Sequence, residues 1–124
     1  MIIALDHVQL AMPPAGEEQA RRFYRDVLGL AELPKPANLA ARGGCWFESG
    51  SVRVHLGVER EFIPARKAHP GFVVSDIAAL TARLKAAGAP VIDDEPLSGW
   101  HRIYSSDPFG NRIEFMQPEA SSRV

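Results

Sequence analysis

A chain of 124 residues with a formal charge of −1 holds one domain, or two small modules sharing a core. Its 46% hydrophobic and 23% charged content is that of a soluble globular protein, and its near-neutral balance excludes an electrostatic footprint for nucleic acid or a basic membrane patch. No apolar run approaches the roughly 20 residues of a membrane span, no signal peptide opens the chain, and lone Cys45 excludes an intrachain disulfide, so a cytoplasmic protein without nucleic-acid or membrane partners is expected.

Leu5 to Met12 alternates, with Val8 and Leu10 on one side and His7, Gln9 and Ala11 on the other, which predicts a strand with one apolar face. Pro13, Pro14 and Gly16 end it. Glu17 to Leu28 carries Ala20, Phe23, Tyr24, Val27 and Leu28 at helical spacing, with acidic residues in the first turn and Gly29 as C-terminal cap. Phe23 and Tyr24 are expected to be core. Pro34 and Pro36 keep the next stretch irregular. A short strand follows around Cys45 to Glu48, with Cys45 as a small buried hydrophobe. A turn at 49–51 leads to a strand over Ser51 to Glu59, where Arg53 and His55 oppose Val52, Val54, Leu56 and Val58.

Glu59 to Lys67 reads as a linker, after which the order begins again. His69 to Val74 is a strand with His69, Gly71 and Val73 on one face. Ser75 or Asp76 caps a helix with the stripe Ile77, Leu80, Leu84 and Ala87, which Gly88 ends. Val91 to Pro96 is a short edge segment, and Trp100 to Ser105 a strand with Arg102 and Tyr104 on one face. Asp107-Pro108-Phe109-Gly110-Asn111 is turn chemistry with Phe109 packing inside it. The strand from Arg112 to Met116 follows, with Arg112 and Glu114 facing away from Ile113 and Phe115. Pro118 to Val124 reads as a loose tail.

Both halves thus read strand, helix and about three strands, with boundaries at 1–60 and 61–124. Laid together, they place His7 on His69 at an offset of 62 residues and His55 on Glu114 at an offset of 59, a difference that one loop absorbs. These four matched residues include three of the four histidines, and each lies on the polar side of its strand. Imidazole nitrogens and a carboxylate are the donors that a borderline divalent metal prefers, so His7, His55, His69 and Glu114 are the expected ligands. His101 has no repeat partner and reads as an ordinary surface histidine.

The motifs Leu5-Asp6-His7-Val8, Phe23-Tyr24-Arg25-Asp26-Val27-Leu28-Gly29-Leu30, His69-Pro70-Gly71-Phe72 and Asp107-Pro108-Phe109-Gly110-Asn111-Arg112-Ile113-Glu114 together resemble the vicinal oxygen chelate superfamily, which groups glyoxalases, bleomycin resistance proteins and dioxygenases. The resemblance covers nearly the whole chain. It implies an α+β fold of two βαβββ modules forming a cupped mixed sheet, helices on the outer face, around a divalent ion (Zn, Ni, Mn or Fe). It also implies a homodimer, and inner-sphere chemistry on a small oxygenated substrate. Same-face Gln9, Trp46, Arg53, Arg102, Tyr104 and Arg112 are the expected substrate contacts, with Glu114 as catalytic proton shuttle.

Glyoxalase I enzymes usually carry a carboxylate where His55 stands. The resemblance therefore implies a metal-dependent lyase or isomerase without fixing methylglyoxal adducts as substrate. The subset His7, His69 and Glu114 also matches the two-histidine, one-carboxylate set of ring-cleaving dioxygenases. Bleomycin-resistance members instead sequester a ligand without metal, and typically lack the ligand residues retained here.

Overall fold

The computed structural model describes residues 1–120, so the end of the expected tail, 121–124, lies outside the described residues. The chain divides into two compact units between Pro64 and Ala65, within the stretch read as a linker.

In the first unit, strand β1 (Val8–Met12) leads into helix α1 (Glu17–Ala20), which continues as a π-helical segment (Arg21–Val27). Strand β2 (Ala31–Leu33), helix α2 (Ala37–Ala40), β3 (Cys45–Ser49) and β4 (Val52–Val58) complete it. The sheet order is β1-β4-β3-β2, with β1 parallel to β4 and the other pairs antiparallel. The second unit contains β5 (Gly71–Val73), α3 (Ile77–Ala86), β6 (Ile92–Asp93), β7 (Trp100–Ser106) and β8 (Arg112–Pro118). Its order, β5-β8-β7-β6, repeats the first, again with one parallel pair.

The repeat extends to residue register. Gln9, His55 and Trp46 stand abreast on β1, β4 and β3, while Gly71, Glu114 and Tyr104 stand abreast on β5, β8 and β7. His55 and Glu114 therefore occupy one position of one architecture. Side chains alternate across each strand, so this register also fixes what lies beneath. Val54, Leu56, Phe47 and Leu10 are buried in the first unit, with Ile103, Ile113 and Phe115 in the second. Tyr24 stacks on Phe47 with centroids 5.6 Å apart, and Leu84 of α3 is fully buried, so helices cover the apolar faces and leave the polar faces to chemistry.

Several elements differ from expectation. The helix from Glu17 widens because Leu28 N–H bonds to the Phe23 carbonyl five residues back, at 2.9 Å, instead of four. Both adjacent rings, Phe23 and Tyr24, are buried along this stretch. Strand β2 was not expected; three residues ending just before Pro34 are too short to show a period. Arg21 Nε secures β2 by donating to both oxygens of Glu32, at 2.9 and 3.1 Å. Strand β5 begins only at Gly71, leaving His69 just before it, because Pro70 has no N–H to donate and serves as acceptor for Glu114 N–H at 3.0 Å. Asp76 is the cap of α3, accepting from Ala79 N–H at 3.0 Å.

The turn before β8 is built from buried polar groups. Asp107 Oδ1 accepts from the N–H of Phe109 and of Asn111, each at 2.9 Å, and Oδ2 accepts from Asn111 Nδ2 at 2.9 Å. Asn111 Oδ1 in turn accepts from Ala65 N–H at 3.1 Å, tying the turn to the start of its unit.

Candidate functional site

On the polar face of the first unit, three rings form one stack. His55 lies between His7 and Trp46, each with its centroid 4.2 Å away and with interplanar angles of 17° and 7°. Asp6 orients the outer ring. Its Oδ2 lies 3.0 Å from His7 Nδ1, and its Oδ1 accepts from Arg53 Nη1 at 2.9 Å. The hydrogen bond from His7 and the charge of Arg53 hold the Asp6 carboxyl below its usual range. An ionised carboxylate only accepts, so Nδ1 is the donor and a neutral His7 carries its lone pair on Nε2. Burial, with His7 beside it, holds His55 below the ordinary imidazole value and favours the neutral, ligating form. Gln9 packs over Gly57, where a Cβ would meet its Nε2 at 2.6 Å.

In the second unit the matched positions hold a denser network. Glu114 is only 7% exposed although it alternates with Ile113 and Phe115 on β8. Its two oxygens are divided: Oε1 faces His69 Nε2 at 3.1 Å, and Oε2 accepts from Arg102 Nη1 at 2.9 Å. Arg102 has two further partners at its tip. Nη1 also stands 2.9 Å from Asp94 Oδ2, and Nη2 donates to the Glu95 carbonyl at 2.5 Å. The Tyr104 and His69 rings meet near-perpendicular with centroids 5.2 Å apart, and the Arg112 guanidinium carbon lies over the Tyr104 ring, 3.7 Å from its centroid. Burial, with Glu114 and Asp94 nearby, raises the Tyr104 phenol above its usual value, so it stays protonated.

The His69–Glu114 contact has a chemical consequence. His69 Nδ1 lies 2.8 Å from the Lys67 carbonyl oxygen, which can only accept. Nδ1 is therefore the donor, and a neutral His69 turns its lone pair toward another acceptor, Glu114 Oε1. Two acceptors at 3.1 Å repel unless a positive species joins them, either a proton or a metal cation.

The structure brings the predicted ligands together as His7 with His55 and as His69 with Glu114, one pair in each unit. Among the described residues, no three His, Cys, Asp or Glu side chains form a ready metal-binding group. Arg53 and Arg102 engage carboxylates, whereas Arg112 rests on Tyr104. His101 is exposed, opposite Gln117. Two contributors were not singled out from sequence. Asp6 adjoins His7, and the Asp-His pair was its available signal. Asp94, in an irregular segment beyond β6, left none.

A model of the Glyoxalase/Bleomycin resistance protein/Dioxygenase superfamily matches residues 4–115. The chain belongs to this superfamily. A glyoxalase family protein from Bacillus anthracis is 49% identical, with a TM-score of 0.91 over 96% of this chain and 98% of that one. The fosfomycin resistance protein FosX from Listeria monocytogenes, solved with Mn(II) and 1S,2S-dihydroxypropylphosphonic acid, shares the fold at 16% identity and a TM-score of 0.80, covering 95% of this chain and 94% of that one. An antibiotic-binding protein from a Streptomyces species shares it at 23% identity and a TM-score of 0.70, covering 95% and 100%. No curated protein matches the sequence. One fold is thus shared with a protein solved with Mn(II) and with an antibiotic-binding protein. Among the described residues no helix is long and apolar enough to cross a membrane.

Proposed function

We propose that this superfamily member is a metal-dependent enzyme of the lyase or isomerase type, acting on a small oxygenated substrate. The carrying observation is the approach of His69 Nε2 to Glu114 Oε1 at 3.1 Å, with the other nitrogen of His69 committed to a carbonyl. His7, His55, His69 and Glu114 would hold a divalent ion, the two modules contributing from one chain or from paired copies in a homodimer. The donor set fits such an ion: His7 and His69 each have Nδ1 occupied by an oxygen acceptor, which leaves Nε2 for a ligand bond. When bound, the ion would act as Lewis acid and template for adjacent substrate oxygens.

The protein's own groups then divide the work. Asp6 and Arg53 keep His7 in its tautomer, and Arg102 holds Glu114 Oε2. Glu114 Oε1 is the oxygen open to a cation or to a substrate proton, and not to both at once. A shuttle role for Glu114 therefore requires it to swing away from its ligand position. Tyr104, protonated and beside His69, can donate to a substrate oxygen.

The test is metal content. Protein purified without added metal should carry close to one transition-metal ion per chain, and His69→Ala or Glu114→Ala should each release it while His101→Ala retains it. Equal content in all three variants removes the ligand assignment.

A second reading, a ligand-sequestering protein, draws on the Trp46–His55–His7 stack, a ready platform for a flat ligand. Wild-type protein free of metal that still binds planar ligands, with binding lost in Trp46→Ala, would favour it.

A further inference from the structure

Three arginines line the polar strand faces, and their partners set them apart. Arg53 is committed to Asp6 Oδ1 at 2.9 Å, with Glu48 Oε2 3.7 Å from its Nε. Arg102 is committed to Glu114, Asp94 and the Glu95 carbonyl. Arg112 differs. Its backbone N–H bonds to the Ala65 carbonyl at 2.9 Å, yet among the described residues its guanidinium has no carboxylate partner and its central carbon sits over Tyr104, 3.7 Å from the ring centroid. Stacking fixes the plane of a guanidinium and leaves its in-plane N–H donors for a ligand.

The position of this cation gives it meaning. Arg112 lies two residues before Glu114 on the same face of β8, and its platform Tyr104 is opposite Glu114 and touches the His69 ring. We infer that Arg112, stacked on Tyr104, is the receptor for an oxyanion of the substrate, a carboxylate or a phosphonate, bound beside the His69–Glu114 pair. The substrate class narrows to small anions with a second oxygen next to the anionic group. Arg53 and Arg102, which sequence reading groups with Arg112, position His7 and Glu114 instead. The inference rests on the proposed metal site only for the placement of that second oxygen; the anion receptor stands on unit-two geometry alone.

The experiment uses lactate and 1-hydroxyethylphosphonate as matched probes, with uncharged 1,2-propanediol as control. In metal-free protein, the Arg112 Nε–H resonance, assigned by its loss in Arg112→Lys, should shift with both anions and not with the diol. In Mn(II)-supplemented protein, calorimetry should show Arg112→Ala weakening anion binding by about 10- to 100-fold, with metal content unchanged. Arg53→Ala should leave the Arg112 resonance response in place. The tighter of the two anions identifies carboxylate or phosphonate as the natural group. An Arg112 resonance unmoved by either anion, or anion affinity unchanged in Arg112→Ala, overturns the inference. Absence of bound metal in wild-type protein would strike the metal reading alone, because the metal-free arm still decides the anion site.

Discussion

Glu114 shows how one residue changes meaning between sequence and fold. An alternating strand turns its polar residues away from the core, and an acid at such a position is usually solvated. Here it is 7% exposed because His69 and Arg102 close over it from a neighbouring segment and strand. A buried carboxylate without partners would be costly, so the partners are part of its placement. Cys45 is the opposite case, read from sequence as a buried hydrophobe and found so, with burial pushing its thiol up from 9.0 to about 11. Native protein at pH 8 should therefore react with iodoacetamide about 100-fold more slowly than unfolded protein, through loss of thiolate alone. Equal rates would contradict the burial. The same shift sets a sign for stability. The folded state keeps the thiol proton longer, so the contribution is full below pH 9 and is lost as pH rises toward 11. A urea titration series across that range should show a falling midpoint, which Cys45→Ala should flatten.

Element by element, the strands with clear alternation were legible, and the short pieces were not. Strands β3, β4, β7 and β8 and helix α3 fall close to their expected places, since each carries a period long enough to read. Strand β2 has three residues, and α2 four, so pairing and packing decide them. The turn into β8 is the element whose chemistry predicts most. Replacing Asp107 with Ala removes the carboxylate that accepts from the N–H groups of Phe109 and Asn111 and from Asn111 Nδ2, and should cost about 3 kcal/mol of stability. Asp107→Asn, which keeps an acceptor in place, should cost less; thermal melts that rank the two the other way would refute the role given to the carboxylate. Gly44 offers a second check, because φ is +84° there and an added Cβ would lie 2.1 Å from the Leu56 carbonyl oxygen. Gly44→Ala should destabilise by about 2 kcal/mol or more, with Gly50→Ala, which meets no atom within 4 Å, the milder variant by chemical denaturation.

For the whole molecule, binding and folding are linked. If the two donor pairs hold one ion, free metal at about 100 times its dissociation constant should add roughly 2.7 kcal/mol to stability. A chelator should reverse the gain, and His69→Ala should abolish it; a melting temperature indifferent to metal in the wild type would count against the shared ion. Light scattering should give twice the monomer mass if copies pair. The duplicated module, its βαβββ order and the superfamily were determined by the sequence itself. Strand periodicity and the turn motif are local signals, and the repeat doubles them. Only the tertiary structure decided which polar groups find each other. It committed Arg53 to Asp6 and Arg102 to Glu114 and left Arg112 on an aromatic ring, because ion pairs join residues far apart in the chain, and alternation assigns a face without choosing a partner.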